Sequence, residues 1–399
     1  MTVIYKGSLV RLLLRWRGSL YRAVLPPLVI FLTLFIAINL CYRLAMTTTQ
    51  QDEFEKVVDL ADRWMHRVPL HFFLGFYVSY ILGRWWEMVN LIAVPDKALL
   101  LVSTHFSGND ETDRKIRERI ARWLNLHCVL TWRCFAVKIL KRFPDEIHLV
   151  KSGLMTQQEY EIFQKTTSEH GRYWVPIQWC YKLIGKQLKL KRLTQEAADG
   201  LLETIYSIKV SNGSLLVYDW ILPPLIYTQL ATLSTYGYFA LCLIARQTVR
   251  HDAADGKSTD HYVPIVAILE FVFYVGWLKV ADMFREPFDE DSDHFDMNYL
   301  LDRNIHTSKM IIDEVQNHEL DEETTTLFDD PHPVLKHTRA SFQVKDGIPA
   351  LRLKVKLSDN DKEVLAKTAF SVREVKTFKQ KFGQKIGPHS RKPEVENTV

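Results

Sequence analysis

The chain is 399 residues long, with 47% hydrophobic residues, 25% charged residues and a formal net charge of +4. Such a length is enough for about two or three soluble domains, and the modest positive charge does not favour a nucleic-acid-binding protein. The hydrophobic residues, however, are concentrated in four stretches instead of being spread along the chain. This clustering favours a membrane protein over a set of soluble domains.

The four stretches have the lengths that membrane spans require. About 20 consecutive apolar residues are needed to cross the hydrocarbon core of a bilayer. The predicted spans cover residues 24–42, 68–86, 221–245 and 262–278. Glu270 lies inside the fourth span, and a carboxylate at membrane depth needs a partner or water. Its two interpretations are a functional group and a structural pair with a base such as Lys279.

The charges between the spans predict the topology. Four arginines precede the first span, so the positive-inside rule places the amino terminus in the cytosol. An acidic loop at 46–67 then lies outside, and the region 90–217, with its basic excess and helical spacing of apolar residues, is a cytosolic helical region. The last part, 317–399, is polar and weakly periodic, which is typical of a largely disordered cytosolic tail.

The second span carries the most informative pattern. Val68, Phe72 and Phe76 are spaced by four residues, which places them on one face of a single helix. If several copies face a common axis, the three side chains form stacked apolar rings that can gate by dewetting. Aromatic ring edges carry partial positive charge and can ease the passage of an anion. The alternative is ordinary helix packing or contact with lipid.

An acidic run after the fourth span is a candidate cation site. Asp289, Asp291 and Asp293 alternate as at the start of an EF-hand, but His294 and Leu300 replace the glycine and the glutamate that this loop requires. A looser calcium site and a solvated acidic loop are the two alternatives. No sequence motif of a hydrolase, a metalloprotease or a nucleotide-binding enzyme occurs. Five scattered cysteines without C-x-x-C spacing argue against a zinc site or a disulfide framework.

Several runs of the chain, in a fixed order, resemble the bestrophin family of anion channels. They are RLLLRWRGSLYR at 11–22, VPLHFFLGFYV with RWW at 68–78 and 84–86, KRFPDEIHLVKSGLMT at 141–156, WVPIQW at 174–179, YDWILPPLIYTQL at 218–230, FYVGWLKVAD at 273–282, and PFDEDSDHF with LDRN at 287–295 and 301–304. Together they cover most of residues 8–316. The resemblance is specific because of the combination and not because of any single run.

This resemblance implies an all-α membrane protein with four transmembrane helices and a large cytosolic helical region, assembled as a bestrophin-like homopentamer. It implies a plasma-membrane channel that conducts chloride and other monovalent anions through a central pore, with both termini in the cytosol. The neck of that pore falls on Val68, Phe72 and Phe76. No cofactor is expected to be required for conduction, and no enzymatic activity or nucleic-acid partner is expected.

The resemblance also implies two regulatory sites. The two acids of the family's calcium clasp fall on Asp291 and on His294, which replaces the second acid, and its backbone carbonyl donors fall on Met283 and Glu286. A histidine is a poor calcium ligand, and the amino-terminal stretch is shorter than the family pattern, so the chain resembles an invertebrate-type member with a divergent clasp. In the tail, TRASF at 338–342 resembles the autoinhibitory segment, where phosphorylation of Ser341 would add negative charge.

The sequence therefore predicts an anion channel regulated by calcium or another ligand. The alternative, which the divergent clasp keeps open, is a membrane scaffold or regulator of other channels that does not itself conduct.

Overall fold

A computed structural model describes residues 13–16, 18–168, 171–249, 264–289 and 295–316, together with 337–338 and 369–370. The chain divides into two compact units, Met1–His318 and Glu319–Val399. In the first unit every regular element among the described residues is helical. The helices are α1 Leu20–Leu40, α2 Thr48–Met65, α3 Leu70–Asn90, α4 Asp96–His105, α5 Glu111–Trp132, α6 Val137–Arg142, α7 Glu146–Lys151, α8 Gln157–Lys165, α9 Val175–Lys189, α10 Gln195–Trp220, α11 Leu225–Ala245, α12 Ile265–Arg285 and α13 Met297–Lys309.

Four long apolar helices occur where the sequence predicts spans, with shifted ends. A π-helical turn, Cys41–Ala45, continues α1, and this continuous run, Leu20–Ala45, is the one helix among the described residues that is long and apolar enough to cross a membrane by length and composition alone. Helices α3, α11 and α12 are each 21 residues long. Helix α11 begins at Leu225 and not at residue 221, because two consecutive prolines precede it.

The prediction that residues 46–67 form a loop is wrong, because most of this segment is helix α2. Thr47 and Gln50 form a capping box that starts this helix. Val58, Ala61 and Met65 are buried along one side, and the Met65 sulfur lies 3.4 Å from the Cys242 sulfur of α11. The acids on the exposed side conceal the helical spacing of these apolar residues, which explains why the segment resembles a polar loop.

Glu270 on α12 has a partner, but not Lys279. The Arg246 guanidinium lies 3.4 Å from the Glu270 carboxylate, and the Tyr238 hydroxyl donates to the same carboxylate at 3.5 Å. Lys279 instead pairs with Asp282, three residues along its own helix, at 3.1 Å. Arg246 follows α11 immediately, so the charge that neutralises Glu270 comes from the end of the preceding helix.

The region predicted as a helical body packs around one apolar core. Helices α4 to α10 and α13 contribute to it, and Leu99, Ile120, Leu124, Ile184 and Leu201 are among its fully buried side chains. Helix α5 is buried along nearly its whole second half, from Leu124 to Trp132. A helical segment that is buried on all sides is typical of the centre of a large helical domain.

Two short strands occur in the second unit. Strand β1, His337–Thr338, pairs antiparallel with β2, Ala369–Phe370, with His337 opposite Phe370. The rest of the predicted tail, including the candidate phosphorylation site Ser341, lies outside the described residues.

Candidate functional site

Helix α3, which carries the predicted neck residues, has two different faces. Its buried face comprises Leu70, Leu74, Tyr77, Val78, Ile81, Arg84 and Met88. On the opposite face, Phe72 is 56% exposed and Phe76 is 59% exposed. Two large aromatic side chains at a spacing of four residues are therefore left uncovered by the rest of the chain.

Val68 does not belong to this helix, which corrects the sequence prediction that all three neck residues share one helical face. Helix α3 begins at Leu70, with Pro69 at its N-cap position. Val68 is half-buried in the turn between α2 and α3, where its amide donates to the Met65 carbonyl at 3.2 Å. Proline lacks an amide proton and is well suited to the start of a helix, so the helix starts after it and not before it.

The two phenylalanines contact each other edge to face. Their ring centroids are 4.7 Å apart and their planes are inclined by 74°. In this geometry the positive edge of one ring meets the negative face of the other, which is the favoured arrangement for an aromatic pair. The same geometry leaves further ring edges directed away from the pair, where partial positive charge is available to an anion.

The buried face of α3 fixes the helix against its neighbours. Leu74 and Ile81 pack with Ala231 of α11 and with Leu278 and Ala281 of α12. The Tyr77 hydroxyl donates to the Thr228 hydroxyl at 3.4 Å, and the Tyr77 and Tyr227 rings meet edge to face at 5.4 Å. The exposed aromatic face therefore sits on a helix whose other side is held by two apolar helices.

The carboxyl-terminal half of α3 contains a buried polar contact, formed by Arg84, that the sequence interpretation missed. The run RWW resembles a stop at the end of a span, but α3 continues to Asn90 and Arg84 is only 7% exposed. The Arg84 guanidinium donates to the backbone carbonyls of Tyr218 and Ile221, at 2.8 Å for Ile221. The Tyr218 hydroxyl donates back to the Glu87 carboxylate at 2.5 Å. An arginine one position beyond an apolar run, on its buried side, is the signal that could have indicated this contact.

The predicted calcium clasp is only half within the described residues. Met283 lies in the last turn of α12, where backbone carbonyls lack helical partners, and Glu286 follows the helix, with its carbonyl accepting from the Asp289 amide at 3.5 Å. Asp291 and His294 lie outside the described residues. In the described part of the chain, no three His, Cys, Asp or Glu side chains come together as a metal site.

The carboxylates around the end of α12 repel one another. Partial burial raises the pKa of Asp219, and the negative charge of Glu286 raises it further, while Arg84 acts in the opposite direction.

The donor chemistry of the predicted clasp fits calcium in its carbonyl oxygens and in Asp291, but an imidazole at residue 294 does not supply the oxygen that calcium prefers. The complete donor set therefore does not match an all-oxygen calcium site.

A histidine that is buried in the helical region has a lowered pKa. Burial lowers the pKa of His127 to about 4, and the nearby Lys209 charge acts in the same direction. Its Nδ1 lies 2.7 Å from the Tyr173 carbonyl, which can only accept, so Nδ1 carries the proton. Its Nε2 has no hydrogen-bond partner among the described residues. This environment is that of a neutral core histidine and not of a metal ligand.

Comparison with known proteins connects these features to a family. The family model described as "Bestrophin, RFP-TM, chloride channel" matches residues 2–314. Bestrophin homolog 14 of Caenorhabditis elegans is 37% identical over 366 residues, covering 92% of this chain and 89% of the worm protein. Human bestrophin-1 is also 37% identical, covering 85% of this chain, but the match spans only 58% of the human protein.

Solved structures show the same fold. A bacterial bestrophin homologue from Klebsiella pneumoniae superimposes with a TM-score of 0.54 at 13% sequence identity, covering 73% of this chain and 99% of the bacterial one. At this identity the likeness concerns the fold alone. The family model and the worm relative both span most of the chain, and the family is one of membrane channels. The chain therefore belongs to the bestrophin family.

Proposed function

We propose that five copies of this chain form a chloride-selective channel in the plasma membrane, with both termini in the cytosol. Four apolar helices, α1, α3, α11 and α12, cross the membrane in each copy, and the α3 helices surround the central pore. The observation that supports this arrangement best is the uncovered pair Phe72 and Phe76 on a helix whose opposite face is fully packed. The family's description as a chloride channel supports the choice of ion.

The proposed neck works without tight binding. Rings of Phe72 and Phe76 would form an apolar constriction that an ion crosses after losing part of its hydration shell. Ring edges favour an anion over a cation, and weak contacts keep the ion moving. Val68, in the turn before α3, is placed at the mouth of this neck and contributes an apolar rim.

The experiment is a measurement of reversal potential with the purified full-length chain in a planar bilayer. Replacing external chloride by a large impermeant anion should shift the reversal potential in the direction expected for a chloride conductance. A reversal potential that ignores chloride would contradict the assignment. If the protein is assembled and correctly inserted but no current is recorded across the bilayer, the result would instead favour the alternative function, a membrane scaffold that does not conduct.

Regulation by calcium or another ligand is part of the proposal. The carbonyls of Met283 and Glu286, with Asp291, supply oxygen ligands, and His294 weakens the set. We therefore expect a chloride current that persists in a calcium chelator and responds weakly to micromolar calcium on the cytosolic side. Replacing His294 by Asp should strengthen the response. A current that requires micromolar calcium in the unmodified chain would show that the clasp is complete without a second acid.

Phosphorylation of Ser341 is proposed as a second means of regulation, because Arg339 precedes it at a spacing that kinases accept and a phosphate adds up to about two negative charges. Comparing the currents of the unmodified chain and of Ser341→Ala after kinase treatment tests this assignment.

A further inference from the structure

We propose that Arg84 is a positioning residue that sets the rotation of the pore helix α3, and so the direction of Phe72 and Phe76, by capping the end of helix α10. This inference rests on the proposed function, because it concerns how the neck is held. It assigns a role to a buried charge that neither the neck nor the clasp uses.

The carboxyl end of α10 needs hydrogen-bond donors from outside the helix. The last four carbonyls of an α-helix have no helical partner. The Val217 carbonyl accepts from the Ile221 amide, whereas the carbonyls of Tyr218, in the last turn of α10, and of Ile221, which follows the helix, accept from the Arg84 guanidinium. A cation at a helix carboxyl end is also favoured by the helix dipole. Arg84 therefore supplies both the donors and the charge that this helix end lacks.

The contact between Arg84 and the end of α10 is specific. Arg84 is 7% exposed, and within the described part of the chain it forms no salt bridge, so the two carbonyls are its main compensation for burial. Its guanidinium also lies over the Tyr218 ring, 5.1 Å from the centroid. The Tyr218 hydroxyl donates to Glu87, which is three residues further along α3. Two points on α3 are thereby fixed to one residue of α10, which restrains rotation about the helix axis.

Helix α3 connects Arg84 to the aromatic pair. Eight residues separate Phe76 from Arg84, which corresponds to about 12 Å along the helix and about 80° around it. An intact helix transmits a rotation at one end to the other because its hydrogen bonds make it stiff. A change in the direction of the Arg84 side chain should therefore move the aromatic pair relative to the pore axis.

The test compares Arg84→Lys with a matched variant elsewhere. Lysine keeps the charge but cannot bridge two carbonyls with a planar fork. The matched variant is Arg172→Lys. Arg172 donates to the Phe163 carbonyl at the end of α8 at 3.1 Å, lies over the Phe163 ring at 4.4 Å, and pairs with Glu146 at 2.5 Å. It thus performs the same capping chemistry in the body, with no contact to α3.

The open probability of reconstituted channels, the melting temperature and the size of the assembled protein are measured for both variants. We expect Arg84→Lys to change the open probability by about 2- to 30-fold, the range found for residues that couple elements. Arg172→Lys should lower the melting temperature and leave the open probability of assembled channels unchanged. Equal open probabilities in the unmodified chain and both variants would overturn the role of Arg84.

A second variant keeps the proposal testable if Arg84→Lys does not assemble. Glu87→Gln leaves Arg84 in place and weakens only the Tyr218 contact, so it should change the open probability, by less than the change of about 2- to 30-fold expected for Arg84→Lys. No change in well-assembled Glu87→Gln channels would contradict the two-point restraint. If the unmodified chain carries no chloride current at all, the proposed function fails, which is a result distinct from a conducting channel that ignores Arg84.

Discussion

Helices α3 and α5 are almost equal in length but differ in how the chain covers them. Helix α5 is buried along its second half, including Trp132 and Leu124 at 0% exposure. Helix α3 has an equally buried face, with Leu74 and Ile81 at 0%, yet leaves Phe72 and Phe76 more than half exposed. One copy of the chain is sufficient to complete the environment of α5. The rest of the chain leaves the aromatic face of α3 uncovered, and we propose that other copies cover it.

This difference predicts where substitutions affect stability and where they affect conduction. Buried side chains of α5 should affect folding, because the chain itself covers them. The exposed side chains of α3 should affect conduction more than folding, because the rest of the chain leaves them uncovered.

The largest expected effect is the loss of stability in Trp132→Ala. Trp132 is fully buried, and its indole nitrogen donates to the Asn212 side chain at 3.1 Å. Truncation removes a large apolar group and leaves the amide oxygen without its donor, and such changes cost about 3–5 kcal/mol. Chemical denaturation in detergent, followed by tryptophan fluorescence and circular dichroism, measures it. Unchanged stability would show that the α5 core is not as closely packed as the structure has it.

A smaller effect is expected from pH, through His127. The folded pKa of about 4 lies below the ordinary value of 6.5, so the unfolded chain binds a proton more readily. Its stabilising contribution is fully present above pH 6.5 and is lost as the pH falls toward 4, by up to about 3 kcal/mol. Replacing His127 by Asn, which keeps a donor for the Tyr173 carbonyl, should flatten the dependence of melting temperature on pH in that range. The same slope in both proteins would rule out His127 as its source.

The smallest effect on stability is expected at the neck. Phe76→Ala removes a side chain that is 59% exposed within one copy, and the loss of its edge-to-face contact with Phe72 should cost no more than about 1.5 kcal/mol. Leu74→Ala, two residues away on the buried face, should cost about 2–5 kcal/mol and serves as the control. Gating should respond in the opposite order, with Phe76→Ala loosening closure. A Phe76 variant that destabilises as much as the Leu74 variant would mean that the ring is packed within its own copy.

The sequence predicts the helical architecture well, because apolar stretches of membrane length and 3.6-residue spacing are local signals. It fails at α2, where a charged exposed side hides the apolar positions Val58, Ala61 and Met65. The sequence prediction also includes Val68 in the neck face of the helix, since spacing alone does not show that Pro69 is the N-cap and that the helix begins at Leu70. Both errors come from local competition between helix signals and other residues.

The partners of buried charges could not be predicted from the sequence. Glu270 on α12 pairs with Arg246, which directly follows α11. Arg84 on α3 contacts the end of α10 through carbonyls that are 134 and 137 residues away in the chain. Such contacts depend on how helices pack, which spacing within one helix does not specify. The uncovered aromatic pair was predictable in position at Phe72 and Phe76, while its exposure needed the structure.

The most direct test of the central claim is chemical modification at the neck. A Phe76→Cys channel is treated with a charged thiol reagent while chloride current is recorded, with the unmodified chain, whose Cys41 and Cys134 are exposed, as the background. If the α3 face lines the pore, the current through the variant should change sharply on reaction, and that of the unmodified chain should not. Complete modification of residue 76, verified by mass spectrometry, with no change in current would contradict the account.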